Sequence, residues 1–202
     1  MARYTGPTCR QCRRERIRIC EKRHCATEKR PYPPGEHGRG RIKESEYLLQ
    51  LREKQKARRI YGVLERQFRN YYTKASRQQG LTSENLLVML ETRLDNVVFR
   101  GGLAMTRPQA RQLVSHRHVR VNGQTVNIPS YRVEPGDVLT IKDRSANIVP
   151  ILGAMELAPG RIIPGWLSLD QGARQVTVLA APTRTQIDIP VAEQLIVELY
   201  SK

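Results

Sequence analysis

Four cysteines, Cys9, Cys12, Cys20 and Cys25, are the only ones in this chain, and their spacing is C-x2-C-x7-C-x4-C. Short spacings let two tight turns each present two thiolates to one tetrahedral ion, as structural zinc sites do. His24 stands beside Cys25 and is the alternative fourth ligand. An iron–sulfur cluster is the minor alternative on the same thiolates. Disulfides require an oxidising compartment, and the opening MARYTGPTCR carries no apolar run of a secretory signal. The chain is therefore expected in the cytoplasm, with reduced thiols. Four thiolates leave no open coordination position, so the expected zinc is structural and folds a segment too small to fold alone.

The second chemical feature is charge. Lys and Arg number 35 against 19 Asp and Glu, a net +16 with a pI near 10.3. Such a surplus selects a polyanionic partner, most commonly nucleic acid. Residues 1–60 carry +11, residues 61–144 carry +6 and residues 145–202 carry −1. The polyanion contact is therefore expected in the first two thirds. Aromatic residues make up only 5% of the chain, with two Phe and one Trp. That is too few for a platform that stacks successive bases, so the backbone and shape of folded RNA are the expected target. No segment nears the roughly 20 apolar residues of a membrane span. No Ser/His/Asp arrangement or Gly-rich phosphate loop appears, so no catalytic residue and no small-molecule substrate are expected.

These residues need elements to position them. Residues 1–43 read as a basic arm with little regular structure, stiffened by Pro31, Pro33 and Pro34 and turned at Gly35 and Gly38. Its candidate RNA contacts are Arg13, Arg14, Arg30, Tyr32, His37 and Arg39. From Glu44 apolar residues recur every three to four positions, through Leu48, Leu51, Ile60, Leu64 and Phe68, which predicts helices broken near Gly62. Arg52, Lys56 and Arg59 fall near one face of the first, and Lys54 and Arg58 broaden the stripe into a candidate RNA face. Ser83 is the expected N-cap of a helix carrying Leu86, Leu87, Leu90, Leu94 and Val97, ended by Arg100-Gly101-Gly102. Thr106 caps the next helix, from Arg107 to about His116, with Pro108 in its first turn. The period then changes to two. Val119 and Val121 predict a strand, Asn122-Gly123 a type I′ turn, and Val126 and Ile128 the returning strand. Pro135-Gly136-Asp137 precedes a strand at 138–141; another is expected at 176–179, and a final helix opens at Pro190. The fold class is thus α+β. The expected segments are an extended metal-organised arm (1–43), a helical domain (44–90), a module of two helices and a small antiparallel sheet (91–153), and a C-terminal segment (154–202) whose last helix packs back on the helical domain.

Two competing functions fit the residues less well. Arg93-Leu-Asp95 is similar to the motif around the catalytic Asp of pseudouridine synthases that carry a comparable module, but residues 145–202 are too short for a catalytic domain. A helix-surface carboxylate paired with a nearby Arg is the simpler account of Asp95. A zinc-bearing nucleic-acid-binding regulator would use the helix at 107–116 for recognition and usually needs dimer symmetry, of which there is no sign.

Six stretches carry a resemblance over nearly the whole chain: Arg30–Gly38 (RPYPPGEHG), Ser45–Arg58 (SEYLLQLREKQKAR), Arg93–Val97 (RLDNV), His118–Gly123 (HVRVNG), Pro129–Tyr131 (PSY) and Leu195–Lys202 (LIVELYSK). In this order they resemble the family of the fourth small-subunit ribosomal protein, in its bacterial form with a four-cysteine arm. The resemblance implies a primary binder of small-subunit ribosomal RNA that nucleates assembly of the subunit body. It implies contact with neighbouring proteins, the fifth above all, a place near the side where messenger RNA enters, with messenger contact possible there, and a part in decoding accuracy. In relatives the module turns its helix–turn–strand face to RNA, which here points to Arg93, Arg107, Arg111, Arg117, His118, Arg120 and Asn122.

Overall fold

The computed structural model describes residues 4–22, 24–40 and 43–201. Of the expected arm, Met1, Ala2, Arg3, Arg23, Arg41 and Ile42 lie outside the described residues, as does Lys202 of the C-terminal stretch. In chain order the elements are α1 (Thr8–Glu15), α2 (Ala26–Lys29), α3 (Glu46–Ile60), α4 (Glu65–Ala75), α5 (Thr82–Glu91), α6 (Leu94–Arg100), α7 (Arg107–Ser115), β1 (Val119–Val121), β2 (Gln124–Thr125), β3 (Val138–Ile141), α8 (Val149–Leu157), β4 (Leu167–Asp170), β5 (Gln175–Val178) and α9 (Glu193–Ser201). They form two units, residues 1–83 with 190–202, and residues 84–189. The class is α+β, as the sequence predicts.

In the first unit the arm holds more regular structure than expected. Besides α1 and α2 it has a 3-10 turn at Glu36–Arg39. The break at Gly62 is where the period put it, with φ of +63° beyond the end of α3. Ser45 caps α3, its hydroxyl accepting from the Leu48 N–H at 3.2 Å. The final helix α9 packs along α3, starting at Glu193 rather than at Pro190. Polar clamps fix its register. Gln50 Nε2 donates to Glu198 Oε2 at 3.1 Å, and the Ala192 N–H donates to Glu53 Oε2 at 2.9 Å. Tyr200 stacks on Tyr72 with ring centroids 4.6 Å apart, and its hydroxyl donates to Glu65 Oε1 at 2.9 Å. The fully buried Ala57, Phe68 and Ile196 supply apolar packing.

The second unit is built on one antiparallel sheet in the order β2-β1-β3-β5-β4. Asn122 and Gly123 have φ of +49° and +79°, the signature of the type I′ turn that NG predicts. The returning strand is shorter than expected: β2 stops at Thr125, and Ile128 is exposed. The predicted strand near 176–179 is β5, and it joins the sheet beside β3, Leu139 opposite Val176. Two elements have no counterpart in the sequence reading, β4 and α8; the α8 sequence VPILGAMEL has no apolar stripe at helical spacing. Leu94, Val98, Val119, Leu139, Trp166 and Val176 lie in the core between sheet and helices, each worth roughly 1.5–3 kcal/mol on burial. Gly101 sits under β5 so closely that a Cβ there would meet Val176 Cγ2 at 2.6 Å.

Two helix expectations are corrected. Ser83 lies inside α5, which begins one residue earlier, so it is not the cap. The single helix expected up to Arg100 is two helices, α5 and α6, because Arg93 is extended (φ −67°, ψ 136°) and forms an isolated β-bridge with Arg132. The donors freed at the start of α6 are satisfied from far along the chain: Leu94 N–H reaches Tyr131 O at 2.8 Å and Asp95 N–H reaches Pro129 O at 3.2 Å. The predicted cap at Thr106 is present, its hydroxyl accepting from the Gln109 N–H at 3.3 Å.

The clamp on Glu65 makes the first unit acid-sensitive. Burial pushes the Glu65 carboxyl up, but hydrogen bonds from Lys54 and Tyr200 and the charges of Lys54 and Arg58 outweigh it and hold the group below its ordinary 4.5. A depressed carboxyl contributes stability that is complete above its unfolded pKa and lost as pH falls through the folded one. Thermal unfolding measured from pH 7 down to pH 3 is expected to show a loss of stability beginning below about pH 4.5, and Glu65→Gln is expected to flatten that slope.

Candidate nucleic-acid interface and metal centre

α1 carries Cys9 and Cys12 one turn apart, and the chain after its left-handed end at Arg16 (φ 55°) returns Cys20 and Cys25 to the same place. All four thiols are free; Cys12, Cys20 and Cys25 are buried and Cys9 half-buried. The sulfurs of Cys9, Cys20 and Cys25 lie within 4.8 Å of one another. Cys20 and Cys25 sulfurs are 3.3 Å apart, and Cys12 Sγ accepts from the Cys20 N–H at 3.2 Å. A tetrahedral ion with bonds of about 2.3 Å needs sulfurs about 3.8 Å apart, so these three fit a metal with small movements, while Cys12 lies outside the group of three and is tied to it through the Cys20 N–H. Burial pushes the Cys25 thiol up, but hydrogen bonds from the Thr27 hydroxyl and N–H and from Cys20 bring it down to about 7. Burial and hydrogen bonds to Cys25 and Cys12 drive the Cys20 thiol up to about 12. His24 is exposed and outside the group.

Beside this cluster the arm gathers four of its six candidate RNA contacts. Arg13 Nε donates to Tyr32 O at 3.0 Å and its Nη2 to Pro33 O at 3.3 Å, while Arg14 Nη2 reaches Pro34 O at 3.4 Å. The guanidinium of Arg13 lies 4.9 Å from the Tyr32 ring centre and that of Arg39 lies 4.8 Å from it, with Arg39 Nη2 donating to Tyr32 Oη at 3.3 Å. That hydrogen bond lowers the Tyr32 phenol below its ordinary value. The prolines fix the carbonyls that α1 arginines grip, and Tyr32 spaces the positive groups. Arg30 and His37 are exposed nearby in sequence.

The basic stripe of α3 is arranged differently from a free cationic face. Each of its five members meets an acid. Arg52 Nη1 lies 3.3 Å from Glu15 Oε1, and Arg59 pairs with the same oxygen. Lys54 and Arg58 meet Glu65 at 2.8 and 3.2 Å, and Lys56 pairs with Glu53. Glu15 is the member sequence reasoning missed. Its side chain has no exposed surface, and burial raises its carboxyl above the ordinary value despite Arg59 and Arg52. The available signal was its position three residues after Cys12, on the same face of α1.

In the second unit the candidate bases divide into buried and exposed sets. Arg93, 1% exposed, grips Asp95 with two bonds, Nε to Oδ1 at 3.0 Å and Nη2 to Oδ2 at 2.7 Å, and Arg111 adds a third at 3.2 Å. Asp95 is buried, a structural counter-ion and not the helix-surface carboxylate expected. Glu91 accepts from Asn96 at 2.7 Å and Arg100 at 3.2 Å, and Arg107 reaches Asn96 Oδ1 at 3.0 Å while lying over the Phe99 ring. Asn122 is engaged in the hairpin, accepting from the Val138 N–H and donating to Asp137. Arg117 is exposed, just past the end of α7, with φ of +64°. Arg120 on β1 reaches the exposed Asp143 at 3.5 Å. His118 bonds Ser145 Oγ at 2.8 Å; burial and the neighbouring His116 and Lys142 lower its pKa, favouring the neutral ring. The expected set omits Arg132 and Arg144, both exposed in this unit.

Comparison with known families matches residues 3–91 to "Ribosomal protein S4/S9 N-terminal domain" and residues 92–139 to "S4 domain". The chain is 58% identical to the small ribosomal subunit protein uS4 of Nocardia farcinica and of Mycobacterium tuberculosis, over the full length of both chains in each case. It is 56% identical to the protein of that name from Acidothermus cellulolyticus, again over the whole of each chain. Among the described residues no helix is long and apolar enough to cross a membrane.

Asp95 holds two buried guanidiniums, so removing it leaves charge without a partner in the core. Asp95→Ala is expected to cost the second unit about 3–5 kcal/mol. Trp166, the only tryptophan and fully buried in that unit, reports the loss in denaturant titrations.

Proposed function

Because the chain belongs to the small ribosomal subunit protein uS4 family, a family of non-enzymatic structural constituents of the small subunit with an S4-type RNA-binding domain, we propose that it is a primary binder of small-subunit ribosomal RNA. In this role it nucleates assembly of the subunit body in the cytoplasm. The supporting observation is the end-to-end match of a chain whose arm packs Arg13, Arg14, Tyr32 and Arg39 beside a four-cysteine cluster. Exposed guanidiniums here meet phosphate, and Tyr32 holds them at fixed spacing. Arg30 and His37 extend this arm surface. Arg117, Arg120 and His118 form the contact of the second unit with folded RNA, joined by the half-buried Arg107; Arg93, Arg111 and Asn122 shape it from within through the bonds to Asp95 and Asp137. On α3, Lys54, Lys56 and Arg58 add positive potential along the same polyanion, shared with their acid partners. The finer placement follows the family: contact with the fifth small-subunit protein, a position where messenger RNA enters, and a part in decoding accuracy.

The ion in the cysteine cluster is proposed to be one structural zinc held by Cys9, Cys12, Cys20 and Cys25. When bound it supplies a tetrahedral cross-link and no chemistry. The protein's own part is to bury three of the thiols against α1 and so fix that helix beside Tyr32.

Filter binding to small-subunit ribosomal RNA is expected to weaken steeply with salt, with a log–log slope of roughly −0.7 to −0.9 per phosphate contacted. Arg39→Gln is expected to reduce the magnitude of that slope by about one contact. A flat response would overturn the binding role. For the metal, elemental analysis of protein purified under reducing conditions is expected to find one zinc per chain, lost in Cys20→Ser. Iron in its place would point to a cluster, and the absence of both would overturn the metal site.

A further inference from the structure

The bond that ties α1 to α3 runs through an acid that the RNA-binding role leaves unused. Glu15 is the last residue of α1, and its carboxylate is fully enclosed. Its Oε1 meets both Arg52 and Arg59, which lie seven residues apart on one face of α3. Its Oε2 has no hydrogen-bond partner, and neither does the buried Nε of Arg52. An acid at a helix C-terminus is disfavoured by the helix dipole, and a buried carboxylate with an unsatisfied oxygen is costly. The charges of Arg52 and Arg59 offset these two features only in part, since burial still holds the carboxyl above its ordinary value. Both follow if the carboxylate stands where a phosphate oxygen would otherwise sit, bridging two guanidiniums as a phosphate does. The two arginines keep 30% and 21% of their side-chain surface, so they are reachable from solvent once the acid is gone.

We infer that Glu15 is a specificity-determining residue: it is a resident anion that withholds Arg52 and Arg59 from RNA phosphates, so that this part of α3 does not bind nucleic acid indiscriminately. The inference rests on the RNA-binding role proposed above. A phosphate contact carries no sequence information, and two further bare guanidiniums would strengthen binding to any RNA as much as to the right one. Glu15 is placed by the helix that holds Cys9 and Cys12, so the withholding depends on a correctly folded arm.

The test uses the full chain with its metal, and measures the salt dependence of binding to small-subunit ribosomal RNA and to an unrelated folded RNA such as transfer RNA. Glu15→Gln keeps the shape and removes the charge. With metal content unchanged, its salt slope is expected to steepen by roughly 1.4–1.8, two released guanidiniums at 0.7–0.9 each, and its preference for ribosomal over transfer RNA to fall several-fold. Adding Arg52→Gln and Arg59→Gln to that variant is expected to return the slope to the wild-type value. Arg52→Gln and Arg59→Gln in the wild-type chain, taken singly so that Glu15 keeps one partner, are expected to leave the slope unchanged. An unchanged slope in Glu15→Gln overturns the inference, as does a proportionate weakening on both RNAs, which marks a merely structural residue. If Glu15→Gln does not fold, the single arginine variants decide: a flatter slope in either means that the guanidinium already meets phosphate. A wild-type chain that shows no preference for ribosomal RNA overturns the proposed function instead.

Discussion

Acids placed between pairs of cations hold this strongly basic chain together. A net charge of +16 repels itself when compacted, and the folded protein answers by giving buried or half-buried acids two basic partners each. Glu15 lies between Arg52 and Arg59, Glu65 between Lys54 and Arg58, and Asp95 between Arg93 and Arg111. Each bridge joins two helices: α1 to α3, α3 to α4, and α6 to α7. Removing one acid therefore does more than delete a pair, because two cations lose their counter-charge together. In the first unit the bridge at Glu65 also reaches Tyr200, so the C-terminal helix depends on the same carboxylate.

This arrangement sorts the basic residues by task. Guanidiniums engaged by enclosed acids, such as Arg93, serve the fold. Those of Arg13, Arg14 and Arg39 in the arm are engaged by backbone carbonyls and by an aromatic ring, partners that fix position without cancelling charge. Positive potential is thereby kept where the backbone is stiffened by proline and by the cysteine cluster. The arm is otherwise too short to bury a core of its own, and three buried thiols take the place of one.

The sheet of the second unit shows how the near-neutral last third serves the basic part without adding net positive charge. β5 inserts beside β3, and β4 closes the edge, so β1 with its Arg120 stands on a sheet completed from 50 residues downstream. Trp166, Val176 and Val178 from this segment enter the same core as Leu94 and Val98 of α6.

By itself the sequence determined whatever depends on neighbours a few residues apart. The α+β class, the break at Gly62, the Thr106 cap, the Asn122-Gly123 turn and the clustered cysteines all rest on local periodicity, backbone freedom or spacing, and they stand as read. The tertiary structure alone decided what depends on a distant partner. Arg93 breaks a helix that periodicity continues, because residues 129–132 supply the hydrogen bonds and the bridge. β4 and α8 exist because the sheet and the core around them exist: α8 carries no apolar stripe, and the alternation Leu-Ser-Leu-Asp of β4 is only four residues long. The basic stripe on α3 was legible as spacing, but charge counts do not say which acid will close on which base. That Glu15 and Glu65 turn two parts of that stripe inward follows only once α1 and α4 are packed beside it.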